Sequence, residues 1–157
     1  MHMARKGYVG VTISKDLAHS FITYNRAGGP LMASDYNSAI LLVEDDRQAR
    51  RFLSSTLKAA GYDVLEAQSG LEAMAVALSY PGEIPLAILD IVMPVVSGLD
   101  VANQLAMDRP TTTILYISGF TDSIAVDSIS RRKPQSVLRK PFTPSEFLAR
   151  VRKLVRR

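Results

Sequence analysis

From Ser38 onward, short apolar runs alternate with segments whose apolar residues recur every three or four positions. The runs at 39–43, 61–65, 85–89, 113–117 and 136–139 are mostly rich in Ile, Val and Leu and predict β-strands. Several are apolar at successive positions, so both faces of each strand are expected to be covered, as in a parallel sheet. The periodic segments predict helices at about 46–59, 69–79, 98–107, 121–131 and 144–155. Strand followed by helix, five times over, predicts an α/β fold: a doubly wound five-stranded parallel sheet with helices on both faces.

The last helix carries the clearest signals. Thr143 can cap it, Pro144 suits its first turn, and Glu146 stands where a capping box needs it. Phe147, Leu148, Val151, Leu154 and Val155 form its apolar stripe, leaving Arg150, Arg152, Lys153 and Arg156 mostly toward water. In the first helix, Phe52, Leu53 and Leu57 are expected to be buried, and Gly61 to stop the helix. Residues 1–37 break the rhythm. Tyr8–Ile13 and His19–Tyr24 suit only short elements, and Gly28, Gly29 and Pro30 interrupt anything longer. This stretch is expected to be an N-terminal extension or arm, in part tag-like residues such as Met1-His2-Met3, followed by one domain over 38–157.

The net charge of +4 suggests a polyanion partner until it is divided along the chain. Residues 1–38 carry four basic and two acidic groups, residues 39–130 five and twelve, and residues 131–157 ten and one. The middle is acidic and the end basic. No recognition helix, zinc spacing or RNA-reading aromatic pair accompanies the basic end, so specific nucleic-acid binding is not expected, and a basic face toward an acidic protein partner fits as well. No apolar run approaches the roughly 20 residues that cross a bilayer, which argues against a membrane span. The chain has no cysteine and no secretory signal pattern, so the reducing cytoplasm is the expected compartment.

The chemistry is expected where parallel strands end, since an open α/β sheet collects its working groups beyond the strands' carboxyl ends. The first strand runs into Glu44-Asp45-Asp46, the third into Asp90, the fourth into Ser118-Gly119 and the fifth into Lys140-Pro141. Clustered carboxylates repel unless a divalent cation lies between them, and Mg²⁺ suits a site of one or two carboxylates that also receives phosphate oxygens. Asp90 can then attack phosphorus to give an aspartyl phosphate. Lys140 would supply the balancing cation, and Ser118 a hydrogen bond to a phosphoryl oxygen. Any one of these aspartates alone is better explained as a helix cap or a solvated loop group. The acidic triplet, aspartate, hydroxyl and lysine, each following an apolar strand in order, are harder to explain that way.

These residues resemble the receiver domain of bacterial two-component response regulators and hybrid sensor histidine kinases. The resemblance covers about residues 38–156 and rests on ILLVEDD (40–46), GYDVLEA (61–67), LDIVMPVVSG (89–98), YISGF (116–120) and LRKPF (138–142). It implies the flavodoxin-like (βα)5 receiver fold and a phosphoacceptor at Asp90. It implies Mg²⁺ held by Glu44, Asp45, Asp90 and the backbone carbonyl of Val92, a switch hydroxyl at Ser118, and a lysine at Lys140 followed by a cis bond to Pro141. A histidine kinase or histidine phosphotransfer protein is the implied phosphoryl donor, with a downstream protein as a further partner. The sequence departs from the pattern at Val137, where relatives often carry an aromatic that rotates on switching. Without that ring, the change is expected to concentrate in residues 118–133. Two rival readings stand beside this one. An aspartyl-phosphate hydrolase usually places an acid two residues after its nucleophile, where this chain has Val92. A receiver-like interaction module that has ceased to use phosphate is the other.

Overall fold

The computed structural model describes residues 37–119, 127 and 136–155. Five strands form one parallel sheet: β1 (Ala39–Val43), β2 (Asp63–Ala67), β3 (Leu86–Asp90), β4 (Thr113–Ser118) and β5 (Val137–Arg139), in the order β2-β1-β3-β4-β5. Four described helices are α1 (Arg47–Ala59), α2 (Gly70–Ser79), α3 (Gly98–Asp108) and α4 (Pro144–Val155). The predicted helix at 121–131 lies, apart from Asp127, outside the described residues, as does the predicted arm up to residue 36. Among the described residues no helix is long and apolar enough to cross a membrane.

Side-chain alternation explains why β1, and β3 up to Leu89, are apolar at successive positions. On β1, Ile40 and Leu42 enter a core shared with Leu53 and Leu57 of α1 and Phe147, Val151 and Leu154 of α4. Leu41 and Val43 enter the opposite core, with Ala73 and Ala77 of α2 and Val101 and Leu105 of α3. Successive residues of a strand point to opposite faces, and helices cover both, so Ala39–Val43 and Leu86–Leu89 are buried and apolar at every position.

The structure moves some predicted boundaries. β2 begins at Asp63 rather than at 61. Gly61, with φ +92°, and Tyr62 belong instead to the turn that closes α1, where the Tyr62 N–H donates to the Leu57 carbonyl and the Gly61 N–H to that of Lys58. Phe52, expected inside, is half exposed at 50%, because the inward stripe of α1 is centred on Leu53 and Leu57. In α4, Phe147, Val151 and Leu154 are buried, while Leu148 and Val155 flank the core partly covered. Its capping box forms: the Thr143 N–H donates to Glu146 Oε2 at 2.7 Å and the Glu146 N–H to Thr143 Oγ1 at 3.2 Å.

Candidate functional site

The strand order places the carboxyl ends of β1 and β3 side by side at the centre of the sheet, with β4 and β5 following. Glu44, directly after β1, is 1% exposed, Asp90 ends β3 at 7%, and Ser118 ends β4 fully buried. Asp45 is exposed at the mouth. One carboxylate oxygen from each of Glu44, Asp45 and Asp90 lies within 4.8 Å of the others. Lys140 Nζ reaches over from beyond β5 and donates to Asp90 Oδ2 at 2.8 Å and to Glu44 Oε2 at 3.2 Å. The other Asp90 oxygen, Oδ1, accepts from the Val92 N–H at 3.1 Å. Ser118 Oγ has no hydrogen-bond partner among the described residues.

The electrostatics of this rim are unlike the rest of the domain. Burial, and then the neighbouring charge of Asp90, push the Glu44 carboxyl up from its ordinary 4.5 to about 7, against the opposing pull of Lys140. For Lys140, burial acts to lower the pKa, but the hydrogen bond and charge of Asp90, with those of Glu44, outweigh it and the net direction is up. One cation therefore serves two buried carboxylates, and a third carboxylate stands beside them. The donor set consists only of oxygens, which suits a hard divalent cation. Ligand atoms within 4.8 Å of one another suit an octahedral ion, whose opposite ligands lie about 4 Å apart. The cluster is thus capable of coordinating a metal ion.

Local structure supports each group. Asp46, the third of the acidic run, caps α1: its Oδ1 accepts from the Ala49 N–H at 2.7 Å, so the helix begins at Arg47. Arg50, one turn into α1, donates to the Glu44 carbonyl at 2.7 Å and to that of Asp45 at 3.3 Å, tying down the backbone that carries both carboxylates. Lys140 is positioned by its own N–H donating to the Ser118 carbonyl at 2.8 Å, and its bond to Pro141 is cis. Gly98 starts α3 directly behind Asp90; a Cβ there would lie 2.2 Å from the Asp90 carbonyl oxygen. Val137 is buried with Ile91 in a small cluster, flanked by Leu99 and by Tyr116, its partner in the β4–β5 register.

Glu44, Asp45, Asp90 and Lys140 are therefore brought together; Ser118 ends the adjacent strand, and Val92 sits two residues beyond Asp90 with its N–H on that carboxylate. Sequence reasoning missed Arg50. Its guanidinium acts on backbone carbonyls, which carry no residue signature, so the sequence held no signal for it beyond a basic residue one turn after an acidic loop.

A family model described as the response regulator receiver domain matches residues 40–152. Response regulator MprA of Mycobacterium sp. (strain KMS) is 38% identical over 125 residues, a match covering 75% of this chain and 50% of the relative. Sensor kinase CckA of Brucella abortus (strain 2308) is 27% identical over 119 residues, covering 76% of this chain and 13% of the kinase. The chain thus spans half or less of the length of these curated relatives. Among solved structures, chemotaxis protein CheY4 of Vibrio cholerae superposes with a TM-score of 0.65 at 28% identity, covering 76% of this chain and 99% of the other.

Proposed function

This chain belongs to the response regulator receiver family, and we propose that Asp90 accepts a phosphoryl group from a histidine kinase or histidine phosphotransfer protein. The reading assigns the acceptor domain to residues 38–157 and an extension to 1–37. The observation that carries it is the meeting of three carboxylates within 4.8 Å with Lys140 Nζ 2.8 Å from Asp90. Mg²⁺ is the ion this oxygen-only set fits, held by Glu44, Asp45, Asp90 and the Val92 carbonyl; when bound it would offset the charge of the carboxylates and of the incoming phosphoryl oxygens.

The chain's own residues do the rest. An Asp90 carboxylate oxygen forms the new O–P bond as the P–N bond to the donor imidazole breaks, and the proton balance is kept on the departing imidazole. Lys140, already on Asp90 and Glu44, turns to the phosphoryl oxygens, which carry more charge. Ser118 Oγ, buried without a partner among the described residues, gains an acceptor once a phosphoryl group is present, and that gain draws the end of β4 toward the site. Val92, two residues after Asp90, has no group to aim a water, so the acyl phosphate is expected to hydrolyse slowly. Most of the 118–133 segment expected to move lies outside the described residues.

The test is addition of beryllofluoride, a phosphoryl mimic, with Mg²⁺, followed by backbone amide NMR. Shifts at Ser118 and Lys140 that require both reagents are expected. No binding of the mimic in the presence of Mg²⁺ would favour an interaction module that does not use phosphate.

A further inference from the structure

The loop joining β3 to α3 is pinched by two glycines, each the first residue of a helix. At its far end, Gly98 lies against the Asp90 carbonyl, where a Cβ would come to 2.2 Å. At its tip, Gly70, the first residue of α2, lies against Val96: a Cβ on Gly70 would meet Val96 Cγ1 at 2.6 Å, its Cβ at 2.7 Å and its carbonyl oxygen at 2.8 Å. Between these points the chain makes a tight turn in which the Val96 N–H donates to the Pro94 carbonyl at 2.8 Å and Val95 adopts φ +68°. That is the left-handed γ-turn geometry, which a β-branched residue adopts only when its surroundings hold it there. Val95 is itself 94% exposed, so its own side chain does not provide the hold.

We propose that Gly70 is a positioning residue for the phosphoacceptor site, acting through Val96 to set the loop that carries Val92. The inference rests on the acceptor reading of Asp90, because the loop's importance follows from what Val92 touches. Its N–H holds Asp90 Oδ1, and its carbonyl is the assigned metal ligand. The three atoms nearest a Cβ on Gly70 all belong to Val96, so its influence runs through packing.

The two partners in the Gly70–Val96 contact are unequally anchored. α2 is fixed along its length: Ser69 Oγ caps it, Ala73 and Ala77 are buried, and the Arg109 side chain donates to the carbonyl of Ala77 in its last turn and to those of Tyr80 and Gly82 just beyond it. The loop is tied to β4 at its start, where the Ile91 N–H donates to the Ile117 carbonyl at 3.0 Å; beyond that it holds itself with the Val96–Pro94 bond and the donation of the Gly98 N–H to Ile91 at 3.1 Å, plus the buried side chains of Ile91 and Met93. Added bulk at Gly70 therefore displaces the loop rather than the helix. The displacement reaches the site within four residues, from Val96 to Val92, because Gly98 leaves no slack behind Asp90.

The experiment compares wild type, Gly70→Ala and Gly70→Ala/Val96→Gly, reading the Val92 amide by NMR without metal and Mg²⁺ affinity by calorimetry. Gly70→Ala is expected to shift the Val92 amide, speed its hydrogen exchange and weaken Mg²⁺ about tenfold or more, the scale seen when groups supporting metal ligands are altered. Removing the Val96 side chain in the double variant relieves two of the three close approaches and is expected to recover part of the affinity. A merely structural glycine would lower the melting temperature while leaving the Val92 amide and the Mg²⁺ affinity of the folded protein as in wild type, and that result overturns the proposal. A double variant no better than Gly70→Ala does so as well. Should Gly70→Ala fail to fold, Val96→Ala decides: a shifted Val92 amide and weaker Mg²⁺ binding support the contact, unchanged values overturn it. Wild type that binds no Mg²⁺ would instead sink the acceptor reading, while the metal-free Val92 amide still tests the Gly70–Val96 contact.

Discussion

Along β3, Leu86 to Leu89 are apolar and fully buried, and the next residue, Asp90, is buried and charged. β1 makes the same change from Val43 to Glu44, and β4 from Ile117 to Ser118, whose buried hydroxyl has no partner among the described residues. A single residue separates an interior where each side chain adds to stability from a rim where burial opposes it. The interior gains from removal of apolar area from water. The rim holds carboxylates under desolvation and mutual repulsion, arrangements that persist because the sheet beneath fixes the strand ends. Stability and function should therefore separate cleanly between the two regions.

The largest effect expected is on the interior. Phe147→Ala, deleting a fully buried ring, should destabilise the fold by about 3–5 kcal/mol in urea unfolding and leave the Mg²⁺ affinity of the folded fraction unchanged. A loss of affinity in the folded protein would break the separation. Next is the pH dependence of the rim. Glu44 has a folded pKa raised to about 7 from 4.5, so between those values the folded state binds more protons than the unfolded one. Its stabilising contribution is present at low pH and is lost as pH rises through about 7. Metal-free wild type should thus lose stability from about pH 5 to 8, and Glu44→Gln should flatten that slope in melting curves; an equal slope in both would show that Glu44 is not the group responsible.

Reading these regions from sequence succeeds unevenly, for physical reasons. Apolar runs such as Leu86–Leu89 and the capping box at Thr143 and Glu146 are local patterns with one structural solution, so the sheet and α4 were legible. The start of β2 was not, because the turn after α1 uses Gly61 and Tyr62, and Tyr62 is as good a strand residue as a turn residue. Phe52 was misplaced because adjacent apolar residues in a helix differ by about 100° of rotation, and only tertiary packing decides which turns inward. At the rim, the residue types were visible and their convergence followed from topology. Arg50 on backbone carbonyls and Gly70 against Val96 depend on three-dimensional contacts that no motif spells out.

Smaller effects sharpen the contrast. Asp45→Asn removes an exposed carboxylate, so stability should hardly change while Mg²⁺ affinity falls about tenfold or more by calorimetry; equal affinities in mutant and wild type would remove Asp45 from the site. Val95→Gly should raise stability by up to about 1 kcal/mol, since glycine adopts φ +68° without the clash that a branched side chain meets. A destabilised Val95→Gly in thermal melts would mean that the turn is held by the side chain after all.

The central claim is that the rim makes Asp90 the sole phosphoacceptor, and intact-mass spectrometry after incubation with acetyl phosphate and Mg²⁺ tests it most directly. Wild type is expected to gain the mass of one phosphoryl group, dependent on Mg²⁺, and Asp90→Asn to gain none. Undiminished labelling of Asp90→Asn would contradict the account.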